Sequence, residues 1–211
     1  MDLIQIVVKC PRCGSKFNST QVSAWVDTGM RNSELRQHFG GSTPQMEEHA
    51  VCTCPTCHNS DWMSQFPPIN EQAVLNQAQM PAHLQFHAAA IAYEQEKHDY
   101  YNAAILYLYA AWCADDSRAY PQAKQYRGCA IRSFTCSLND VSCPINEKPT
   151  VEYLIGELYR RTGDFAATQS HLTGALPHLP GKLAYMARKI IKLAALENSG
   201  LTSFDNPGQT N

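Results

Sequence analysis

The residues best suited to chemistry are four cysteines arranged in two Cys-Pro-x-Cys motifs. The first motif contains Cys10 and Cys13, the second contains Cys54 and Cys57, and forty residues separate the motifs. Both sulfurs of a Cys-x-x-Cys turn can reach one ion, so two such turns supply the four thiolates of a tetrahedral Zn²⁺. The pattern predicts one structural zinc ion, with the four cysteines leaving no open position for a substrate.

Neighbouring donors leave the ligand set open. Cys52 precedes Cys54 by two residues, so both side chains lie on the same side of a strand and Cys52 could compete as a ligand. His49 and His58 are spare donors. His58 also follows the second motif at the position where Gly14 follows the first, and this position favours positive φ. The alternative to a metal site is four free thiols or a redox pair, although a redox pair needs a helix N-terminus that strand-flanked motifs lack.

A second metal site at His83 and His87 is a weaker hypothesis. The two histidines are four residues apart on a predicted helix, which is a spacing found among metal ligands. Leu84 stands where a zinc protease motif has glutamate, so an ordinary helix face is the favoured interpretation.

The charge balance argues mildly against nucleic-acid binding. The chain has a net charge of −2, and residues 1–64 carry five basic and six acidic side chains. Phosphate recognition requires a basic face, although a local patch is still compatible with this balance. Asp2 and the short apolar run after it do not fit a signal peptide, and no stretch approaches the ~20 apolar residues of a membrane span. We therefore expect a soluble protein in the reducing cytoplasm, without membrane contact.

Hydrophobic patterning predicts an α+β chain with a small β module before an all-α domain. The module covers residues 1–65 and resembles a zinc ribbon, with strands at 3–8, 22–26 and 49–53 and a short helix at 33–39. A module of this size needs the metal for stability. The remaining predicted segments are a linker with a short helix (66–81, the helix at 71–80), a helical domain (82–198) and a frayed tail (199–211).

Six helices are predicted in the second domain, and part of it follows the tetratricopeptide pattern. In the segment 153–165, Gly156 would allow two helices to approach closely and Gly163-Asp164 would form the turn. Asp99-Tyr100 is a second turn of this kind. Such repeats stack into a superhelix. The predicted helices are 82–96, 100–114, 120–138, 150–162, 165–176 and 182–198.

Three charged side chains on the predicted helix 150–162 are candidates for partner binding. They are Glu157, Arg160 and Arg161. Glu157 and Arg161 are at i, i+4 with the acid first, which favours a solvated pair on one helix. The alternative is that Arg160 or Arg161 reaches the carboxylate of a partner in the repeat groove.

The chain resembles an uncharacterised bacterial family, domain of unknown function 2225. The resemblance involves both cysteine motifs, the segment Ala111-Trp112-Cys113-Ala114-Asp115-Asp116, and the segment from Leu154 to Phe165. It implies a double Cys-Pro-x-Cys zinc module joined to tetratricopeptide-like helices, and it implies no activity.

Three functional hypotheses follow. The leading one is a non-catalytic scaffold that binds a protein or peptide through its helical surface. The alternative is a nucleic-acid-binding or regulatory zinc-ribbon protein. A hydrolase or redox enzyme is not favoured, because the sequence contains no glycine-rich phosphate loop, no Gly-x-Ser-x-Gly motif and no His-Glu zinc motif.

Overall fold

The structure is a computed structural model that describes residues 2–24, 27–39, 46–72 and 75–203. A region of short strands precedes six helices, so the α+β prediction is confirmed. The strands are β1 (Asp2–Lys9), β2 (Lys16–Ala24), β3 (Asp27–Arg31), β4 (Gln37–Phe39), β5 (Val51–Thr53), β6 (Ser60–Trp62) and β7 (Leu75–Asn76). The helices are α1 (Ala82–Gln95), α2 (Tyr100–Asp116), α3 (Tyr120–Asn139), α4 (Lys148–Thr162), α5 (Phe165–Ala175) and α6 (Gly181–Ala195).

Each cysteine motif forms the turn of an antiparallel hairpin. The β1–β2 ladder ends with Lys9 opposite Lys16, and the β5–β6 ladder ends with Thr53 opposite Ser60. The predicted strand before each motif is confirmed, although a 3-10 turn at 46–49 shortens the second. The strand predicted at 22–26 starts earlier, as β2, and its last two residues lie outside the described ranges.

The short helix predicted over residues 33–39 is wrong. The side-chain Oδ1 of Asn32 accepts hydrogen bonds from the main-chain N–H groups of Glu34 (2.9 Å) and Arg36 (3.1 Å). This side-chain capture competes with helical hydrogen bonding, and the chain turns with Leu35 at φ 60°. The segment then continues as β4, which pairs with β3.

The short helix predicted over 71–80 is also wrong. Leu75 and Asn76 form β7, which pairs in parallel with β2. β7 completes a three-stranded sheet in the order β1-β2-β7. The segment between the module and α1 is therefore a strand-bearing part of the sheet.

The first residues of the predicted frayed tail are held in place. The N–H of Ser33 donates to the carbonyl oxygen of Thr202 at 2.7 Å, and Asn32 forms an isolated bridge with Ser203. The prediction of fraying is wrong for 199–203, because Thr202 and Ser203 pair with the loop between β3 and β4 and the carbonyl oxygens of Ser199 and Gly200 accept hydrogen bonds from Arg161 and Arg160. Residues 204–211 lie outside the part of the chain that the structure describes.

All six predicted helices are present, with ends that differ by one turn or less. α2 and α5 begin in the same way: Asp99 and Asp164 are their N-caps, and each accepts a main-chain N–H three residues later at 3.0 Å. The residue before each aspartate has positive φ, 52° at His98 and 87° at Gly163. The resemblance between the two turns is thus present in the backbone. None of the helices within the described ranges is long and apolar enough to cross a bilayer.

Two hydrophobic clusters form the interior. The smaller cluster lies around the cysteine motifs and includes Val8, Phe17 and Phe66. The rings of Phe17 and Phe66 meet edge to face, with their centroids 6.0 Å apart. The larger cluster fills the space between the helices and also takes in Val51 of β5. The β5–β6 hairpin therefore joins the second cysteine motif to the helical core.

Aromatic side chains extend this junction. Trp62 of β6 lies edge to face with Phe86 of α1 (6.4 Å) and Tyr109 of α2 (5.9 Å). Tyr109 stacks on Trp112 at 4.9 Å. Aromatic pairs of this kind contribute about 0.5–1.5 kcal/mol beyond the area they bury. The second cysteine hairpin is consequently seated on α1 and α2.

Candidate metal centre and buried ion network

The four cysteines predicted to bind metal lie together in space. The Sγ atoms of Cys10, Cys13, Cys54 and Cys57 are all within 4.8 Å of one another. Cys10 and Cys57 are 3.7 Å apart, and Cys13 and Cys54 are 3.6 Å apart, so the close pairs join one motif to the other. A tetrahedral ion with metal–sulfur bonds of about 2.3 Å requires sulfur separations of about 3.8 Å. The cluster can therefore hold one metal ion.

The two turns share the backbone geometry of a metal knuckle. The N–H of Gly14 donates to the carbonyl oxygen of Cys10 at 2.9 Å, and the N–H of His58 donates to that of Cys54 at 3.0 Å. Gly14 has φ 77° and His58 has φ 56°. His58 therefore takes the left-handed conformation that was predicted for its position, and its side chain is exposed.

The thiols differ in environment. The hydroxyl of Ser15, 3.2 Å from Cys13 Sγ, lowers the pKa of Cys13 to about 6. Burial raises the pKa of Cys10, and it raises that of Cys57 to about 12. A metal ion displaces the thiol protons when it binds, so a cation is what allows all four to be thiolates at once.

The neighbouring donors are placed elsewhere. The sulfur of Cys52 lies 3.3 Å from Ser19 Oγ, and burial raises the pKa of this thiol to about 11. Among the described residues, the group close enough to share an ion contains neither Cys52, His49 nor His58. His83 and His87 do not belong to such a group of described residues either. Their rings pack against Tyr126 instead, with ring centroids 6.2 and 4.9 Å apart.

The three predicted partner-binding residues face the interior. Glu157 and Arg160 have no exposed surface, and they form a two-bond ion pair with distances of 2.8 and 2.6 Å. Arg160 Nη1 also donates to the carbonyl oxygens of Asn198 and Gly200. Burial raises the pKa of Glu157, because the charge of Arg160 only partly offsets the lost hydration.

Arg161 is also engaged within the chain. Its Nη1 donates to the carbonyl oxygen of Ser199 at 2.5 Å, and its Nη2 lies 3.4 Å from an oxygen of Asp115. The prediction that Glu157, Arg160 and Arg161 bind a partner is therefore corrected: their hydrogen bonds hold the segment 198–200 against α4. The expected i, i+4 pair is replaced by an i, i+3 pair, Glu157 with Arg160.

A second buried pair, absent from the sequence interpretation, joins the module to the helices. Glu34, between β3 and β4, is 1% exposed and accepts two hydrogen bonds from Arg127 of α3, at 2.5 and 2.8 Å. Trp112 Nε1–H donates to the same carboxylate at 3.1 Å, and Arg127 also donates to Asp115 at 2.6 Å. Burial acts to raise the pKa of Glu34, but the charge and hydrogen bonds of Arg127, together with the charge of Arg161 and the Trp112 N–H, outweigh burial and lower it.

A third pair lies beside the second. Arg36 donates to both carboxylate oxygens of Asp116, at 3.1 and 2.6 Å, and lies 5.5 Å from the Trp112 ring centre. Trp112, Asp115 and Asp116 all belong to the segment 111–116 that contributed to the family resemblance. This segment therefore contacts the loop between β3 and β4, which lies between the two cysteine motifs.

Comparison with family models gives one match, over residues 76–198, to DUF2225, described as an uncharacterized protein conserved in bacteria. The match includes Trp112, Asp115, Asp116 and the segment around Gly156, whereas both cysteine motifs precede it. Comparison with curated proteins and with solved structures gives no significant match. Since the match covers more than half of the chain, the protein belongs to the bacterial family DUF2225.

Proposed function

We propose that this protein is a non-catalytic scaffold, stabilised by one zinc ion, that binds a partner protein through its helical half. The observation that supports this most directly is the tetrad of sulfurs with cross-motif distances of 3.6 and 3.7 Å. Four protein ligands complete a tetrahedral zinc site, so a metal bound here has no position left for a substrate. Its role is to stabilise the two hairpins.

Zinc is proposed because of the ligand chemistry. Soft thiolates in a tetrahedral set favour Zn²⁺ or iron–sulfur centres, and a structural zinc site is usually of this closed kind. Apparent zinc binding to small domains is worth roughly 10–16 kcal/mol and is coupled to folding. A reducing, cytoplasmic environment, which keeps the thiols free of disulfides, is part of the proposal.

The scaffold role is supported by how α4, α5 and α6 pack. α6 lies against both α4 and α5, the arrangement expected of a tetratricopeptide-like unit followed by a further helix. A Cβ on Gly156 would lie 2.3 Å from the side chain of Leu172, so this glycine is what permits the close approach of α4 and α5. Helical stacks of this type present extended concave surfaces to partners.

The metal is tested on the full chain purified under reducing conditions from medium containing zinc and iron. We expect one zinc ion per chain, and labelling of Cys10, Cys13, Cys54 and Cys57 by a thiol reagent only after a chelator is added. Substoichiometric metal with these four thiols reactive before chelation would contradict the zinc assignment, and iron would replace it.

The scaffold role is tested by cross-linking the zinc-loaded chain in cell extract, followed by reciprocal capture with the identified partner. Cross-links from a reproducible protein partner to the six helices are expected. Recovery of nucleic acid instead, with binding that weakens steeply as salt rises, would favour the nucleic-acid hypothesis.

A further inference from the structure

The last helix, α6, carries a concentration of positive charge that no function discussed above uses. Residues 165–196 contain no Asp or Glu, and all their basic side chains lie on α6: Lys182, Arg188, Lys189 and Lys192. The other residues of the chain carry 13 basic and all 19 acidic side chains. A polar face that serves only solubility can mix both signs of charge. An acid-free helix in an otherwise acidic chain therefore indicates that its charge serves recognition.

One side of α6 packs into the fold and the opposite side is left to solvent. The packed side lies against α4 and α5, and its buried residues are Ala184, Met186, Ala187, Ile190 and Ala194. With 3.6 residues per turn, an arc of about 120° on the opposite side contains Lys182, Tyr185, Arg188, Lys189 and Lys192. This arc, which we call the α6 face, extends about 15 Å along the helix axis.

Most of the positive charge on the α6 face is uncompensated. Three of its cations are exposed and form no ion pair with the residues that the structure describes: Lys182, Arg188 and Lys192. The carboxylates of the adjacent helix α4 are used elsewhere, since Glu152 lies 3.0 Å from His171 and Glu157 is buried in its pair with Arg160. The three cations are therefore available to carboxylates of another molecule.

The α6 face also exposes two large apolar side chains. Tyr185 lies at the middle of the arc and is 46% exposed, and Lys189 Nζ is 4.7 Å from the centre of its ring. Leu196 is 76% exposed, and its N–H donates to the carbonyl oxygen of Lys192 at 3.2 Å. This hydrogen bond keeps Leu196 on the helical path, so it continues the same face. Tyrosine and arginine together are typical of protein interfaces.

An acidic protein segment fits this face better than another polyanion does. A nucleic acid longer than the 15 Å of the face would meet the remainder of the chain, whose excess of acidic groups repels phosphate. An anionic membrane would have to receive the apolar side of the helix, which in α6 is packed inside the fold. A protein segment brings apolar side chains for Tyr185 and Leu196 as well as carboxylates for the cations.

We propose that the α6 face binds an acidic segment of a partner protein. Carboxylates of the segment pair with Lys182, Arg188 and Lys192, and its apolar side chains cover Tyr185 and Leu196. A length of 15 Å corresponds to about three turns of a helical segment or about five residues of an extended one. This inference rests on the proposed scaffold function and names the surface and the chemistry of the partner.

The test is selection from a random dodecapeptide library displayed on phage, with the zinc-loaded full chain as bait. The affinities of the selected peptides are then measured by fluorescence anisotropy at low and high salt. Arg188→Glu reverses a charge on the α6 face, and Tyr185→Ala removes the aromatic ring. Lys124→Glu, at an exposed position on α3, is the control charge reversal outside the face. Urea unfolding of each variant checks that the fold is unchanged, as expected for exposed side chains.

We expect the wild type and Lys124→Glu to bind the same peptides, rich in Asp and Glu, with an affinity that falls as salt rises. Arg188→Glu should weaken binding about tenfold and reduce its salt dependence, whereas Tyr185→Ala should weaken binding and leave the salt dependence unchanged.

Peptides without acidic residues, equal binding by the wild type and Arg188→Glu, or failure to select any peptide would overturn the assignment of the α6 face. Tighter binding of an oligothymidylate of about 15 nucleotides than of the peptides would overturn it in favour of nucleic acid. The scaffold function is decided separately by the cross-linking experiment, in which a protein partner cross-linked to other helices would keep the scaffold function without the α6 face.

Discussion

The buried pair between Glu34 and Arg127 gives the sharpest prediction about stability. In Arg127→Met, the two hydrogen bonds of 2.5 and 2.8 Å to Glu34 are lost, together with the 2.6 Å bond to Asp115. Glu34 stays 1% exposed and keeps the Trp112 N–H at 3.1 Å, while the nearest nitrogen of Arg161 is 3.6 Å away. Removing one partner of a buried pair costs about 3–5 kcal/mol, because the other charge is left uncompensated.

A loss of this size is a large part of the total stability of a domain, which is about 5–15 kcal/mol. The double variant Glu34→Leu/Arg127→Met removes both charges, and we expect it to recover most of the loss, since buried pairs are often replaceable by apolar residues. The double-mutant cycle then gives the coupling energy of the pair. Arg132→Met, at an exposed position on the same helix, is the matched control and should change stability by less than about 0.5 kcal/mol.

The measurement is urea unfolding of the zinc-loaded chain, followed by far-UV circular dichroism. The free energies of unfolding of Arg127→Met and Arg132→Met should differ by several kcal/mol. If the two variants unfold alike, or if the double variant is no more stable than Arg127→Met, the pair does not contribute in the way its geometry implies.

The same pair predicts an acid dependence. The pKa of Glu34 is lowered in the folded chain, so the ionised form is favoured by folding. The resulting stabilisation is complete above the unfolded value of about 4.3 and is lost as the pH falls through the lowered folded value. Glu34→Gln should therefore be less stable than the wild type at neutral pH, and its stability should fall less steeply below pH about 4.

Three further outcomes are expected. Gly156→Ala places a Cβ 2.3 Å from Leu172 and should lower the free energy of unfolding by about 1–3 kcal/mol. The control Gly128→Ala, on α3 with open space around it, should raise the free energy of unfolding by about 0.4–1 kcal/mol. Equal effects of the two substitutions in urea unfolding would contradict the close approach of α4 and α5. Removing the metal with a chelator should expose Trp62 to water, because the β5–β6 hairpin places Trp62 against α1 and α2. An unchanged tryptophan emission maximum would refute this link between the metal and the position of the hairpin. Cys52→Ser should keep the full metal content, because Cys52 bonds Ser19 rather than joining the tetrad, while Cys54→Ser should lower it sharply in metal analysis.

Local features were predictable because their signals lie within a few residues of each other. The cysteine turns and the turns at Asp99-Tyr100 and Gly163-Asp164 each depend on short-range geometry. The close approach at Gly156 was also predictable, since a glycine in a helix leaves room for a neighbour. The helix at 33–39 was predicted wrongly because apolar spacing there suggested a helix, while the side chain of Asn32 captured the N–H groups that a helix needs.

Long-range pairing was not predictable from the sequence. Glu34 and Arg127 are 93 residues apart, and nothing in periodicity or composition selects one partner among 17 basic side chains. Arg160 and Arg161 were assigned to a surface because charged residues on a helix are usually solvated. Their carbonyl partners at 198–200 belong to a segment whose polar composition suggested a free tail, so both errors have one cause.

The two distinctive helical motifs have a common structural purpose. Trp112, Asp115 and Asp116 contact the loop between β3 and β4 through Glu34, Arg36 and Arg127, whereas Arg160 and Arg161 hold the segment 198–200. That segment leads to Thr202, which bonds Ser33 in the same loop. The loop between the cysteine motifs is thus held on one side by the ion pairs of Glu34 and Arg36 and on the other by the hydrogen bonds between Ser33 and Thr202. A metal bound by the four cysteines would fix the two hairpins that flank it.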